Sequence, residues 1–401
     1  MDAADTGFVL MSAALVMFMT PGLALFYGGM VRAKNVLATL MQSFILLGLV
    51  SVLWAVVGYT LAFGTDVGGV IGALNHLLLA GVGGDAPEGW TLTIPPAAFM
   101  IFQCMFAVIT PALITGAFAE RMRFAPFLVF SGLWLVLVYC PMAHWVWGGG
   151  WMGAMGALDF AGGAVVHMCS AAAALAGCLV IGPRRGFGKE AHIPHNLPMT
   201  ILGAGILWFG WFGFNAGSAL AANAQAAMAF ATTHFAAAAG ALSWVAVEWR
   251  HRGRATTLGA VSGAVAGLVA ITPAAGYVSV GASLVMGIAA GAVCYWAVLQ
   301  KNRFGYDDAL DVVGIHGVGG TLGALATGVF ADFGEFRGLL AGNPTQLWIQ
   351  LVSVVATWVF CFLMSYVLFK VIDATLGLRV SPEDETRGLD VNEHRETGYQ
   401  W

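Results

Sequence analysis

The chain has 401 residues, 59% of them hydrophobic and only 9% charged, with a net charge of −4. Soluble globular chains carry roughly 25% Asp, Glu, Lys and Arg, so a water-soluble enzyme, a disordered protein and a basic nucleic-acid binder are all excluded. What sets the class is the distance between charges.

From one charge to the next, nine uncharged runs reach twenty residues or more: 6–31, 35–65, 89–119, 124–158, 160–183, 191–247, 255–300, 312–331 and 338–369. A helix needs about 20 apolar residues to cross a hydrocarbon core of roughly 30 Å. Seven runs fit one crossing each, while 191–247 and 255–300 are each long enough for a helical hairpin, so eleven spans are predicted. The start, Met1-Asp2-Ala3-Ala4-Asp5, lacks a basic stretch and leads into a long apolar run, which reads as a span and not as a signal peptide. The second half of 124–158 is rich in Pro, Trp and Gly and reads as an outer loop. Basic residues gather in alternate loops: Arg32/Lys34, Arg121/Arg123, Arg184/Arg185/Lys189, Arg250/Arg252/Arg254, Lys301/Arg303, and from Lys370 through Arg379, Arg387 and Arg395. The intervening loops hold only Arg337. Cytoplasmic loops collect Lys and Arg, so the N-terminus is predicted outside and the C-terminus inside. Residues 1–378 then form one membrane domain, and the charged segment 379–401 a cytoplasmic appendage too short to fold alone.

Within the spans, the informative residues are polar. His192, His195, His251 and His394 fall in cytoplasmic segments, His76 and His144 in outer loops, and none of these calls for explanation. His234 lies in a run of alanines, where it can bond a neighbouring helix. His167 and His316 fall near the bilayer centre on spans five and ten, where an ionisable side chain is costly and by default functional. Asp159 opens the first of these spans and Asp311 the second, an echo five spans apart that predicts an inverted repeat with a shared midplane site. Neither aspartate can reach the histidine of its own helix; Asp159 reads equally well as a cap for exposed N–H groups. Trp90, Trp145, Trp147 and Trp151 crowd the outer mouth with Phe102 and Phe106. Interfacial tryptophan anchors proteins at headgroups, which suits Trp90 and Trp151, whereas a vestibule tryptophan can hold a small cation over its face. Phe214 and Ser218 share one helix face at four-residue spacing. The six cysteines lie in or beside spans without paired spacing and read as small apolar residues. No nucleotide loop, catalytic triad or metal-ligand cluster is present in the sequence, and neither enzymatic activity nor a cofactor is expected.

With these residues in view, the chain resembles the ammonium transporter family of the Amt/Rh group over its whole length. The resemblance is carried by Pro21-Gly22-Leu23-Ala24-Leu25-Phe26-Tyr27-Gly28-Gly29-Met30-Val31, by Glu120-Arg121, and by Asp159-Phe160-Ala161-Gly162-Gly163-Ala164-Val165-Val166-His167. It continues in Gly210-Trp211-Phe212-Gly213-Phe214-Asn215-Ala216-Gly217-Ser218 and His316-Gly317-Val318-Gly319-Gly320. The resemblance implies an all-α membrane protein of eleven helices with inverted five-helix halves, assembled as a homotrimer in the plasma (cell inner) membrane. It implies an outer ammonium site at Trp147, Phe106 and Ser218, a phenyl gate at Phe106 and Phe214, and a pore lined by His167 and His316. Asp159 matches a residue that takes part in deprotonation or shapes the site. The substrate implied is ammonium or ammonia, with methylammonium as analogue, and the tail resembles the family's regulatory tail, where PII signal proteins act. An Rh-type gas channel, an ammonium sensor and a proton-coupled carrier for another solute stay open as alternatives.

Overall fold

The computed structural model describes residues 1–83 and 90–400 and is helical almost throughout. Among the described residues, ten helices are long and apolar enough to cross a membrane: α1 (Ala3–Met30), α2 (Ala33–Phe63), α3 (Pro96–Phe118), α4 (Phe124–Met155), α5 (Gly163–Ile181), α6 (Leu197–Gly217), α7 (Ala224–Arg252), α9 (Val280–Phe304), α10 (Val313–Phe330) and α11 (Pro344–Leu376). An eleventh apolar helix, α8 (Thr257–Ile271), is shorter. The two longest uncharged runs each divide into a hairpin, α6–α7 and α8–α9. The tail adds two short helices, α12 (Pro382–Arg387) and α13 (Leu389–His394). Between α2 and α3, β1 (Asp66–Val67) and β2 (Ile71–Gly72) form a small antiparallel hairpin.

Helices with apolar residues on all sides must be buried or face lipid. Here α3 and α5 are the most enclosed, and α2, α9 and α11 lie at the rim. Along α11 the exposed residues Val355, Val359, Leu363, Val367 and Val371 repeat every four positions, a stripe that suits hydrocarbon. Glycines let backbones meet: a Cβ on Gly240 would lie 2.5 Å from the Gly263 oxygen, so α7 and α8 touch only without it.

The run 124–158 departs from the loop reading of its second half. Helix α4 continues through a π-turn at Leu135–Tyr139 and a further helical stretch, Cys140–Trp147, before it breaks at 148–150. Trp145 and Trp147 therefore stand on a helix end. His144, read as a loop residue without a role, is fully buried there; its Nδ1 lies 2.9 Å from the Ala62 oxygen and its Nε2 2.8 Å from Asp66. That contact pins the β1–β2 hairpin against α4.

The face carrying Arg32, Arg121 and Arg184 is held by charge pairing. Glu120 is buried and accepts from the backbone N–H and Nε of Arg32 (2.8 and 2.9 Å), from Asn35 (3.0 Å) and from Arg184 Nη1 (3.0 Å). Arg184 also grips Asp307 through Nε and Nη2, both at 2.9 Å. Burial by itself would raise the Glu120 carboxyl, but Arg32 and Arg184 outweigh it and hold the group at about 2. The tail packs on this basic face. Asp390 accepts from the N–H groups of Leu37 and Ala38, Glu393 from that of Phe124, and Glu385 from that of Arg185. Two of these carboxylates cap the first turns of α2 and α4, where exposed N–H groups favour a negative charge.

Candidate functional site

The site is built where α5 and α10 begin, at the molecule's centre. Both open in π-wound turns, Gly163–Met168 and Val313–Gly317, and each turn carries one histidine. Such turns are rare, and they leave main-chain groups that need outside partners. Asp159 supplies them for α5: its carboxylate accepts from the N–H groups of Gly162, Gly163, Ala164 and Val165 at 2.5–3.2 Å. Gly162 sits at φ +113°, and a Cβ there would meet Val166 at 2.6 Å, so the bend into the turn requires glycine. Asp159 makes no bond to His167, as the eight-residue spacing implies.

The second turn corrects the sequence reading. The carboxylate that bonds its opening N–H is Asp308, which accepts from Val313 at 2.7 Å, whereas Asp311 pairs with Lys301. Asp308 stands eight positions before His316, the interval that separates Asp159 from His167. The signal was present in the sequence as equal spacing, masked by a second aspartate nearer the helix.

The histidines, 149 positions apart, meet. Their Nδ1 atoms are 3.2 Å apart and both rings are buried. Trp211 stacks on His167 at 5.5 Å, with its indole N–H donating to Thr272 Oγ1 at 2.9 Å. Thr272 Oγ1 donates its single proton to the Leu268 oxygen at 2.7 Å and lies 3.4 Å from His167 Nε2. With its proton spent, the hydroxyl can only accept from His167, so Nε2 carries hydrogen. A neutral His167 then presents a bare Nδ1, and His316 donates to it. Neither Thr272 nor Trp211 was singled out from the sequence; the only hint was Trp211 inside the Gly210–Ser218 segment.

A line of aromatic rings leads from the histidines to the face opposite the basic loops. Phe214 stacks near His167 at 6.1 Å and against Phe106 at 4.3 Å, with an interplanar angle of 34°. Phe106 meets the edge of Trp147 at 5.9 Å. Beyond these rings lies a cavity of about 300 Å³ lined by Phe99, Gln103, Phe106, Trp147, Phe160 and Ser218 among others. The Trp147 indole donates to the Asp159 oxygen at 2.9 Å, which ties the cavity wall to the cap of α5. Ser218 Oγ donates to the Phe214 oxygen at 2.8 Å. On the other side of the Phe106–Phe214 pair, Leu23, Phe26, Leu113, Val166 and Val265 surround the two imidazoles in an apolar cavity with about 10 Å³ of free volume, the least that holds one water-sized molecule. All the side chains predicted from the sequence to share a site therefore lie along one line. No cluster of side chains that could hold a metal ion occurs among the described residues.

The model of the Ammonium Transporter Family matches residues 7–399. The ammonium transporter of Bacillus subtilis is 53% identical, covering 100% of this chain and 99% of its own, and ammonium transporter Amt1 of Archaeoglobus fulgidus is 46% identical with 100% of both chains covered. Among solved structures, Candida albicans Mep2 superposes with a TM-score of 0.90 at 37% identity, covering 96% of this chain and 87% of that one. A structure described as a Sensor Amt Protein gives 0.90 at 28% identity, with 98% of each covered. The chain is a multi-pass membrane protein and belongs to the ammonium transporter family.

Proposed function

We propose that the protein captures NH4+ in the cavity beside Trp147, Phe106 and Ser218, that the ion gives up its proton near the Phe106–Phe214 gate, either to water of the cavity or to the imidazoles for separate transfer, and that NH3 is conducted past His167 and His316. The observation that carries this reading is the width and lining of the passage beyond the rings. Transferring a bare ammonium-sized ion into a low-dielectric interior costs on the order of 20 kcal/mol before relaxation, and the wall there offers two imidazoles among aliphatic and aromatic side chains. Ammonia avoids that cost. K+ and Na+ have no proton to lose, so deprotonation doubles as selection. The ordered hydrogens from His316 to His167 to Thr272 would guide NH3 or pass a proton one step at a time. Asp159 acts by shaping the site: its oxygens are occupied by four N–H groups.

On this reading the Trp147 end faces the outside and the basic face the cytoplasm, with N-terminus out and C-terminus in, and the two histidine-bearing turns belong to inverted halves of five helices. The location is the plasma (cell inner) membrane. Homotrimeric assembly is supported by His234. It is exposed about a third of the way along α7, ten residues or roughly 15 Å from its start, beside Trp208, Phe212, Phe230 and Phe235, and a polar ring facing lipid at that depth is costly; a neighbouring copy would cover it. The tail, seated on the N-terminal turns of α2 and α4, offers a PII-type signal protein a direct hold on the membrane helices.

The test is ammonium-evoked current and K+ permeability in proteoliposomes. Replacing both His167 and His316 with Ala is expected to cut ammonium flux and admit K+ while assembly persists. Wild-type flux and selectivity in that double variant would leave the pair a purely packing role and remove the conduction path.

A further inference from the structure

The cavity beside Trp147 contains a polar side chain that neither the cap of α5 nor the gate employs. Gln103 lies on α3 between Phe99 and Phe106, at positions four and three residues away, so the three share one helix face toward the cavity. Gln103 is only 8% exposed. Among the described residues no hydrogen bond reaches its amide, and its polar atoms are not sealed in the protein interior but border the cavity. Most buried side chains of this kind are bonded within the protein. This one is kept in a wall of aromatic rings, Val146, Leu220 and Ser218, bordering a space large enough for a hydrated ion.

Its surroundings decide what it can take. Ser218 has spent its proton on the Phe214 oxygen, and Trp147 has spent its N–H on the Asp159 oxygen. What remains facing the cavity is hydroxyl lone pairs and the π-faces of the rings, all of them sites for a hydrogen-bond donor or a cation. Gln103, with no bond fixing its amide, is free to turn Oε1 inward. A species with several N–H donors and a positive charge fits that wall; an anion finds no donor there except the Gln103 amide itself.

We propose that Gln103 is a specificity-determining residue of the capture site, whose Oε1 accepts one N–H of the ion and thereby favours NH4+ over methylammonium. This rests on the reading of the cavity as the ammonium capture site. NH4+ presents four donors and can use the Ser218 oxygen, the Gln103 oxygen and the aromatic faces together. Methylammonium presents three and must turn its methyl group to one wall. With Gln103 in place the methyl group takes a position on the rings, Val146 or Leu220 that an N–H of NH4+ leaves free, and one acceptor interaction is given up; with an apolar residue at 103 that acceptor is absent for both ions and the difference shrinks.

The experiment compares the concentration dependence of ammonium- and methylammonium-evoked transport in proteoliposomes of the wild type, Gln103→Leu, Gln103→Glu and Trp147→Leu. Gln103→Leu should weaken half-saturation for ammonium by roughly three- to tenfold, the loss of one charge-assisted bond in a partly wet site, and for methylammonium by less than about twofold on the same grounds. Gln103→Glu keeps the acceptor, adds a charge and should restore or tighten ammonium capture. Equal loss for both substrates with no rescue by Glu would mean that Gln103 merely packs, and no change in Gln103→Leu would remove it from the site; either result overturns the proposal. Trp147→Leu separates it from its premise. If that variant captures normally while Gln103→Leu narrows the discrimination, the assignment of Trp147 fails and Gln103 stands; if Trp147→Leu weakens capture and Gln103→Leu does not, the capture site stands and Gln103 falls.

Discussion

The basic face and the line of residues from Trp147 to His316 are both rich in buried polar groups, and they treat them in opposite ways. On the basic face most valences are filled within the protein, with Arg32 Nη2 an exception. Glu120 accepts four hydrogen bonds, Arg184 spends three nitrogens on two carboxylates, and Arg121 donates to the oxygens of Ala119, Gly182 and Asp307. Along the line, valences are left over: hydroxyl lone pairs on Ser218, and a Gln103 amide with no partner among the described residues. A saturated network fixes geometry, because removing any member strands the others in a poor solvent. An unsaturated one carries a standing cost that a ligand can relieve. The difference separates the part of the molecule that holds from the part that binds.

That contrast can be broken most severely at Glu120. Glu120→Ala leaves Arg32 and Arg184 facing an apolar hole, and removal of one partner of a buried ionic network costs about 3–5 kcal/mol. The expected outcome is a large loss of thermal stability in detergent, with the apparent affinity for ammonium unchanged in whatever fraction folds. A variant as stable as wild type would mean that water already solvates the arginines.

Acid probes the same network without mutation. Glu120 and Asp307 are both held at about 2, against ordinary values of 4.5 and 3.8; burial opposes this, and the neighbouring arginines prevail. Groups whose folded value is depressed stabilise the protein fully above the unfolded value, and that contribution is lost as the pH falls through the folded one. Thermal stability should therefore be flat from pH 7 to about 5 and decline from about 4.5 toward 2. In Glu120→Gln the acid slope should be shallower. An identical slope in wild type and variant would assign acid unfolding to other carboxylates.

On the unsaturated side, Trp147→Leu should cost capture rather than stability. A cation over an indole face gains about 0.5–2 kcal/mol, or roughly two- to thirtyfold in half-saturation at low ammonium. Melting temperature should move little by comparison, although the bond to the Asp159 oxygen is also lost. If the variant unfolds early and captures normally, Trp147 belongs with the groups that hold.

The smallest effect is expected at the tail. Asp390→Ala removes a cap from the first turn of α2, worth about 1 kcal/mol, and should loosen residues 379–399 without changing the membrane helices. Hydrogen exchange would register it as faster exchange of the Leu37 and Ala38 amides. Deleting 379–401 should likewise spare insertion and assembly while altering activity or the response to a PII-type partner.

Much of this was legible before any coordinates. The distances between charges marked out the apolar helices, ten of them among the described residues long enough to cross and α8 shorter, since hydrocarbon tolerates no unpaired charge and a helix rises a fixed 1.5 Å per residue. They also separated the α6–α7 and α8–α9 hairpins inside two long runs, and the residues expected at the site, Phe106, Trp147, Asp159, His167, Phe214, Ser218 and His316, do fall on one line. Thr272, Trp211 and the helical end of α4 escaped, and so did three further features. His144 and its partner Asp66 lie 78 positions apart, and nothing local in either segment announces the other. Asp308 hid behind Asp311, because equal spacing to a histidine is a weak mark until the backbone N–H groups awaiting a partner are in place. The tail, too polar to fold alone, is ordered by the helix ends it caps. One-dimensional pattern reports what each segment requires of its solvent; which polar group meets which, and which is left over to bind, depends on the approach of segments far apart in the chain. That approach is set by packing, which admits Gly240 against Gly263 and His316 against His167 and leaves Gln103 facing an open cavity.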